Sequence, residues 1–526
     1  MNEEPLLTWK GRRVRAPGDG PEAAARKVPS PPLRPGSLFF VPAPLEGWGL
    51  DVLLDRLPPE SAVVVFDKDE ELERRCRTAF AAFLGSRAGD GRLFRLSADT
   101  EAAVQELFSH LPLAKLRRCE FLALNGAWTP DAARYRQVFT RFDQGLTRWW
   151  ANRITSLHLG PLWVKNLFDN SSAPGFQAMP WPDWGTQPVL VCGAGATLED
   201  ALPWAAVHRD RLRLVAADTA LPVFKASGLV PDAVVCLESQ HANLRDFAGW
   251  SSAPVLLFAD LTAYPPSTRV FGNPPHWFAS TFAEVDLFRR WPWGPVPLVP
   301  ALGSVGVAAA WVAWRLTQGP VVLAGLDFSF PPGKTHARGT PALAALLAAT
   351  NRLRPTEQEG SWNRPGVTAK GEWLTTPALE GYAAVLAEKA RDHAERTWVW
   401  KTGGLPLGLE PWPADRVPGA NHPSGAPGGR AAPDTGAGIG APDRGPGAWL
   451  DDERRRLTAV LADFERLNAA PHDEAAWSDL ERGLNEVDYL TFAFPDPEFR
   501  RDYDWLARAQ HQVRWLLERL NRPRWS

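Results

Sequence analysis

The chain is poor in sulfur and in net charge. Its four cysteines, Cys76, Cys119, Cys192 and Cys236, are scattered, with no C-x-x-C pair and no metal-ligand spacing. That argues against a disulfide framework and against a cysteine-held metal. Cys192 and Cys236 lie inside apolar strand-like runs and read as reduced core residues, as expected of a cytoplasmic protein. Acids and bases nearly cancel, leaving −2. Bulk electrostatics therefore gives no reason to expect nucleic acid or a membrane surface as partner. No uncharged apolar run approaches the ~20 residues that a membrane span needs. Arg12, Arg13 and Arg15 are followed by no apolar h-region, so a secretory signal peptide is not expected.

What the chain does have is a succession of apolar runs, each stopped by a polar or glycine cluster. The most informative stretch is Pro188–Glu238. A strand runs into Gly193-x-Gly195-x-Thr197, a second ends on Asp218, and a third ends on Glu238. Val255–Ala259 ends at Asp260, and Val296–Pro300 leads to the turn Gly303-Ser304-Val305-Gly306 and an Ala- and Trp-rich helix reaching Leu316. Pro320–Gly325 is a further buried strand, ending on Asp327. Alternating strands and helices predict right-handed crossovers and a doubly wound, mostly parallel sheet. Such a sheet presents a nucleotide site at the carboxyl ends of its strands.

A chain of 526 residues exceeds one core, so two or three domains are expected. The composition divides into an N-terminal extension 1–36, an N-terminal Rossmann-like α/β domain 37–186 with an aromatic-rich helical end, a nucleotide-binding domain 187–410, a Pro/Gly-rich linker 411–448, and a helical C-terminal module 449–526. Within 37–186, Leu38–Pro42 and Ala62–Phe66 read as strands around Glu46-Gly47-Trp48-Gly49-Leu50, and Asp67 closes the second. That is the outline of a nucleotide- or adenosylmethionine-binding half, although a third glycine is missing. A purely structural Rossmann-like domain is the simpler reading. Leu93–Leu96 and Phe121–Leu124 are candidate further strands, Asp131–Asn170 is helical in pattern, and Ala378–Glu395 reads as a long helix.

Four groups of residues carry candidate chemistry. Gly193, Gly195 and Thr197 would let a backbone approach a phosphate at a helix N-terminus, or would simply form a tight turn. Asp218, Glu238 and Asp260 could accept from ribose or a base or hold Mg²⁺, or merely cap helices. Gly303 and Ser304 form a second small-residue turn. Asp327 ends an apolar strand and needs a partner, for which Lys334, Arg338 or a ligand are the candidates. Finally, Lys334, His336 and Arg338 alternate, so an extended loop would point them to one side, suited to a phosphate or sugar carboxylate. His336, with an ordinary pKa of about 6.5, suits a general base. A solvated basic loop is the bland alternative. Gly333-Lys334-Thr335 is not a Walker A motif, because the preceding G-x-x-x-x-G spacing is absent.

Taken in order, these residues resemble the family of motility-associated (Maf-type) flagellin glycosyltransferases and 6-hydroxymethylpterin diphosphokinase-like proteins. Gly193-x-Gly195-x-Thr197-Leu198 resembles G-x-G-P-S-L, Ala216-Ala217-Asp218-Thr219-Ala220 and Pro231-Asp232 through Glu238 resemble its next strand ends, and Gly303-Ser304-Val305 resembles G-G-S-V. Gly325-x-Asp327-Phe328 followed by Gly333-Lys334-Thr335-His336-Ala337 resembles G-x-D-[LF]…G-K-T-H-A, the most specific element. Thr402-Gly403-Gly404 resembles the closing glycine pair, and residues 17–26 resemble the N-terminal Y-D-P-x-x-E-A-x-R. Ala196 and Leu302 depart from the pattern. The resemblance implies a sialyltransferase-like Rossmann variant that binds a CMP-activated nonulosonic acid. Gly193, Gly195 and Thr197 would meet phosphate, Asp218 and Glu238 would lie near ribose or base, Gly303, Ser304 and Asp327 would hold the nucleotide from the opposite side, Lys334 and Arg338 would meet phosphate or sugar carboxylate, and His336 would be the base. The implied partners are a nucleotide sugar and a protein acceptor such as flagellin. No metal ligand is assigned, and a need for Mg²⁺ stays open. Competing expectations are a pterin diphosphokinase using ATP and Mg²⁺, and a nucleotide-binding protein of flagellar assembly without catalysis.

Overall fold

The computed structural model describes residues 8–14, 21–30, 32–67, 70–173, 176, 179–281, 296–353, 355, 367–400, 403–413, 416, 418, 446–494, 499 and 501–521. Residues 17–20 of the N-terminal motif, Thr402 and most of the linker 411–448 lie outside them. The chain divides into two compact units, Met1–His158 with Thr491–Phe499, and Leu159–Leu490 with Arg500–Ser526. The division falls inside the 40-residue helix Ala132–Ser171, upstream of the proline-punctuated stretch 174–188.

In the first unit, β1 (Ser37–Pro42), β2 (Ala62–Phe66), β3 (Leu93–Arg95) and β4 (Arg118–Phe121) form a parallel sheet in the order β3-β2-β1-β4. The two inner strands are apolar apart from Ser37 because both of their faces are covered. Successive residues alternate between two cores. Leu38, Phe40, Ala62, Val64 and Phe66 pack on one face with Tyr135 and Phe142. Phe39, Val41, Val63 and Val65 pack on the other with Leu50, Leu53, Leu54 and Phe80.

In the second unit, eight parallel strands form one sheet. They are β5 (Val189–Cys192), β6 (Arg213–Ala217), β7 (Ala233–Cys236), β8 (Leu256–Asp260), β9 (His276–Thr281), β10 (Leu298–Pro300), β11 (Val321–Ala324) and β12 (Thr397–Val399). Their order is β10-β9-β8-β7-β6-β5-β11-β12. The sheet is doubly wound, as expected: the chain moves outward from β5 to β10, then returns through a helix to β11 on the other side of β5. The returning helix, Val305–Leu316, is almost wholly buried, and Ala308, Ala309, Ala310 and Ala313 keep it slim. It lies on the face built by Val189, Val191, Val215, Val235, Phe258 and Phe278.

Strands β9 and β12 were not anticipated. β9, six residues long, follows Pro274-Pro275, and β12, three residues long, follows a helix end; the strand character of each comes from its parallel neighbours. The C-terminal helices Pro446–Ala469, Glu474–Glu486 and Tyr503–Asn521 have the expected amphipathic pattern. No helix among the described residues is long and apolar enough to cross a membrane.

Candidate functional site

The order of the second sheet reverses between β5 and β11. At such a point the loops leaving adjacent strands turn in opposite directions and open a crevice at the carboxyl ends. Here the loops are Gly193–Thr197 after β5 and Gly325–Asp327 after β11, and they are tightly joined. The Gly193 and Gly195 amides donate to the carbonyls of Ala324 and Gly325, each at 2.8 Å. A Cβ on Gly193 would overlap the Gly325 carbonyl oxygen, and one on Gly195 would overlap the Asp327 carboxylate. Gly325 has φ +63°, which an L side chain rarely adopts. The glycines therefore serve contact between the two loops.

Asp327 is hydrogen-bonded by Thr197, while Lys334 acts on it through its charge alone. Its Oδ2 accepts from the Thr197 amide at 3.0 Å, and its Oδ1 accepts from the Thr197 hydroxyl. The carboxylate thus caps the helix Leu198–Val207, whose own Thr197 makes no side-chain cap. Asp327 is 4% exposed. Burial raises its pKa, and the hydrogen bonds from Thr197 oppose the rise. Gly403 and Gly404 close over the pair. A Cβ on Gly404 would meet the Asp327 carbonyl, and one on Gly403 would meet the Thr197 methyl. The Leu405 amide donates to the Asp327 carbonyl at 2.9 Å.

The Gly303-Ser304 turn reaches the same place through Leu326. Added Cβ atoms on Gly193 and Gly306 would both strike Leu326 Cδ2. Ser304 starts the helix Val305–Leu316 with no capping side chain. The basic loop arrives from the other side. The Ala337 amide donates to the Ala194 carbonyl at 2.9 Å. Lys334 Nζ lies 3.2 Å from the Ala196 carbonyl and 3.0 Å from Glu199 Oε1, and the Arg338 amide donates to the same Oε1 at 2.6 Å. Burial would raise the Glu199 pKa, but the Arg338 amide and Lys334 outweigh it and hold the carboxyl low. Glu199 thereby neutralises part of the loop's charge, while the Arg338 side chain stays 81% exposed. His336 is half-buried, and burial lowers its pKa. Its Nδ1 is 3.2 Å from Thr335 Oγ1, and the ring makes no other hydrogen bond among the described residues.

The strand-end acids differ from one another. Asp218, 1% exposed, accepts from the Thr219 amide at 2.7 Å and hydroxyl at 3.1 Å and from Asn243 Nδ2 at 2.9 Å. Burial raises its pKa against those bonds. Asn243 Nδ2 also lies 3.5 Å from Asp246 Oδ2. Burial, then the charge of Asp218, pushes the Asp246 pKa up to about 7. Glu238 is exposed and caps the amide of Gln240 at 2.9 Å. Asp260, equally buried, accepts from the amides of Thr262 and Ser280, both at 2.8 Å, and from the Thr262 hydroxyl at 2.5 Å, so its oxygens are used in holding β8 to β9. The helix Ala132–Ser171 ends over these loops. Asn166 Nδ2 reaches the carbonyls of Ser239 and Thr262, and Asn170 Nδ2 those of Leu261 and Ala263, all within 3.0 Å.

Thr197, Gly303, Ser304, Asp327, Lys334, His336 and Arg338 therefore belong to loops that meet at the β5/β11 crevice, and Asp218 and Glu238 end the next two strands along the same edge. Sequence reasoning gave no role to Glu199, Asn243 or Asp246. Glu199 has a local signal, since an acid in a first helical turn commonly faces a cation or the dipole. Asn243 has none, because its partner Asp218 is far away along the chain. No group of three His, Cys, Asp or Glu side chains suited to a metal occurs among the described residues.

Known proteins resemble this chain at three levels. An uncharacterized protein of Treponema pallidum (strain Nichols) is 30% identical over 344 residues, which is 63% of this chain and 59% of that relative. A second uncharacterized protein from the same strain is 33% identical over 94 residues, 18% of this chain and 45% of its own. The chain thus spans about three-fifths of the length of the first of these curated relatives and less than half of the second. The structure of a MAf glycosyltransferase from Magnetospirillum magneticum AMB-1 is similar over 97% of this chain and 88% of that chain, with a TM-score of 0.56 at 13% identity, a likeness of fold. Residues 163–333, from the end of the long helix to the foot of the basic loop, match the model of the 6-hydroxymethylpterin diphosphokinase MptE-like family.

Proposed function

We propose that the chain is a nucleotide-dependent glycosyltransferase that moves a nonulosonic, sialic-like acid from a CMP-sugar to a protein acceptor, with flagellin the first acceptor to test. The observation that carries this reading is the meeting of four loops at the β5/β11 crevice. It joins an uncapped helix start at Ser304, an exposed Arg338 guanidinium and a half-buried imidazole at His336. Transfer by direct displacement needs an oriented donor, a stabilised phosphate leaving group and one base. Ser304 and Arg338 would meet the phosphate. His336, neutral near pH 7 because burial disfavours its charge, would take the proton of the acceptor hydroxyl. Thr197 already gives its amide and hydroxyl to Asp327, so in this reading both residues, with Gly193 and Gly195, shape the phosphate loop. Asp218 and Glu238 would face the nucleoside, and Asp246 would be a second group able to exchange a proton near neutrality.

The family match over residues 163–333 supports a second reading, pyrophosphoryl transfer from ATP to a hydroxymethylpterin. Thermal unfolding with CMP, a CMP-nonulosonate, and ATP with Mg²⁺ separates the two. A midpoint rise with the cytidine compounds and release of CMP from the donor is the expected result. A rise with ATP and Mg²⁺ alone, with AMP formed in the presence of pterin, replaces the first reading by the second. Nucleotide binding without turnover of any donor leaves a binding protein.

A further inference from the structure

The basic loop is fastened to the turn after β5 on both sides of His336. Upstream, Lys334 Nζ lies 3.0 Å from Glu199 Oε1 and 3.2 Å from the Ala196 carbonyl oxygen. Downstream, the Ala337 amide donates to the Ala194 carbonyl at 2.9 Å, and the Arg338 amide donates to Glu199 Oε1 at 2.6 Å. One carboxylate oxygen therefore takes a donor from each side of the imidazole. We propose that Glu199 is a positioning residue, which holds His336 at the β5/β11 crevice by clamping the loop on both sides of it. With His336 as the base of the transfer proposed above, on which this role rests, Glu199 sets where that base stands.

Glu199 stands on a fixed base. It lies in the first turn of the helix Leu198–Val207, where the dipole favours an acid, and Asp327 holds the start of that helix through Thr197. The loop has no such support of its own. Gly333 at φ +77° and Gly339 at φ +94° bound it, and between them the chain forms neither helix nor strand, so its seat is set by what it touches. The imidazole cannot supply that seat, since its hydrogen bond is to the adjacent Thr335. The clamp also divides the two cations. Lys334, its side chain 26% exposed, is used in holding the loop, and the Arg338 guanidinium, 81% exposed, is left for a ligand. A base displaced by about 1 Å loses on the order of 100-fold in rate, which is the scale on which such a clamp acts.

Two measurements on the full chain test this: steady-state release of CMP from a CMP-nonulosonate, and NMR titration of the His336 ring, assigned by its loss in His336→Ala. In Glu199→Ala, kcat falls tenfold or more while the donor KM stays within threefold. Glu199→Gln keeps the reach and the accepting oxygen and recovers most of that loss, whereas Glu199→Asp keeps the charge, loses the reach and falls with Glu199→Ala. In the wild type, burial holds the ring below the ordinary histidine value of about 6.5. Release of the loop exposes the ring and moves its midpoint up towards that value. Loss of a nearby negative charge alone would move it down, so the sign separates a lost seat from a lost charge. If Glu199→Ala fails to fold, Glu199→Asp, one methylene shorter, gives the same reading. The ring titration needs no turnover: a raised midpoint without transfer from any donor overturns the glycosyltransferase reading and leaves the clamp standing. A ring that titrates as in the wild type in both Glu199→Ala and Glu199→Asp, or a kcat within twofold of wild type in either, overturns the proposal.

Discussion

Asp327 and His336 show how much a side chain's role depends on its neighbours. A carboxylate buried at a strand end must be compensated, and Asp327 is compensated by the amide and hydroxyl that open the next helix. It joins two loops, and the sequence expectation of a partner was met by a residue 130 positions away. Among the described residues His336 has no charged partner, and its pKa is lowered by burial. Because the folded state disfavours the protonated ring, the unfolded chain binds that proton more readily. The stability contributed is therefore present above the ordinary histidine pKa of about 6.5 and is lost as pH falls through the lower folded value. For transfer the same shift keeps the base active at neutral pH. His336→Ala is expected to lower the transfer rate about 100-fold or more and to remove the acid limb of the pH–rate profile, while CMP affinity stays within a few-fold. A rate within twofold of wild type would take His336 out of the chemistry.

The elements that build the crevice were mostly visible beforehand. Six of the eight strands of the second sheet need no long-range information: an apolar run stopped by glycine or acid identifies β5 through β8, β10 and β11. β9, which opens on His276 after two prolines, and the three-residue β12 carry no such signal. Loop contact was equally invisible, since a glycine reads alike whether it faces a phosphate or a carbonyl. In the structure Gly193 faces the Gly325 carbonyl, and Gly381, inside the helix Pro377–Ala390, faces open space. Gly193→Ala should therefore destabilise the chain by about 1–3 kcal/mol through overpacking. Gly381→Ala should be neutral or stabilising by up to about 1 kcal/mol. Urea titration of both variants is the check, and equal midpoints would mean that the loop contact yields freely.

At the scale of the whole molecule, the thiols report on the packing. Cys76, Cys192 and Cys236 are buried, Cys119 is partly so, and none is in a disulfide. Burial, reinforced by Asp143, pushes the Cys119 pKa up to about 12. Thiolates are the reactive form. All four should therefore resist alkylation at pH 8 until the chain unfolds, and reductant should leave the unfolding midpoint unchanged; rapid labelling of the native protein would contradict this. The amino-acid sequence by itself determined the parallel α/β class, the glycine- and acid-ended strands and the basic loop, because apolar periodicity and turn chemistry are local. Tertiary structure alone decided that Asp327 caps the helix after Thr197, that Glu199 takes up Lys334, that Asn243 links Asp218 to Asp246, and that the N-terminal glycines are packed shut. Each of those is a pairing between distant positions, and only the closed sheet brings such positions within the few ångströms over which a hydrogen bond or an ion pair acts.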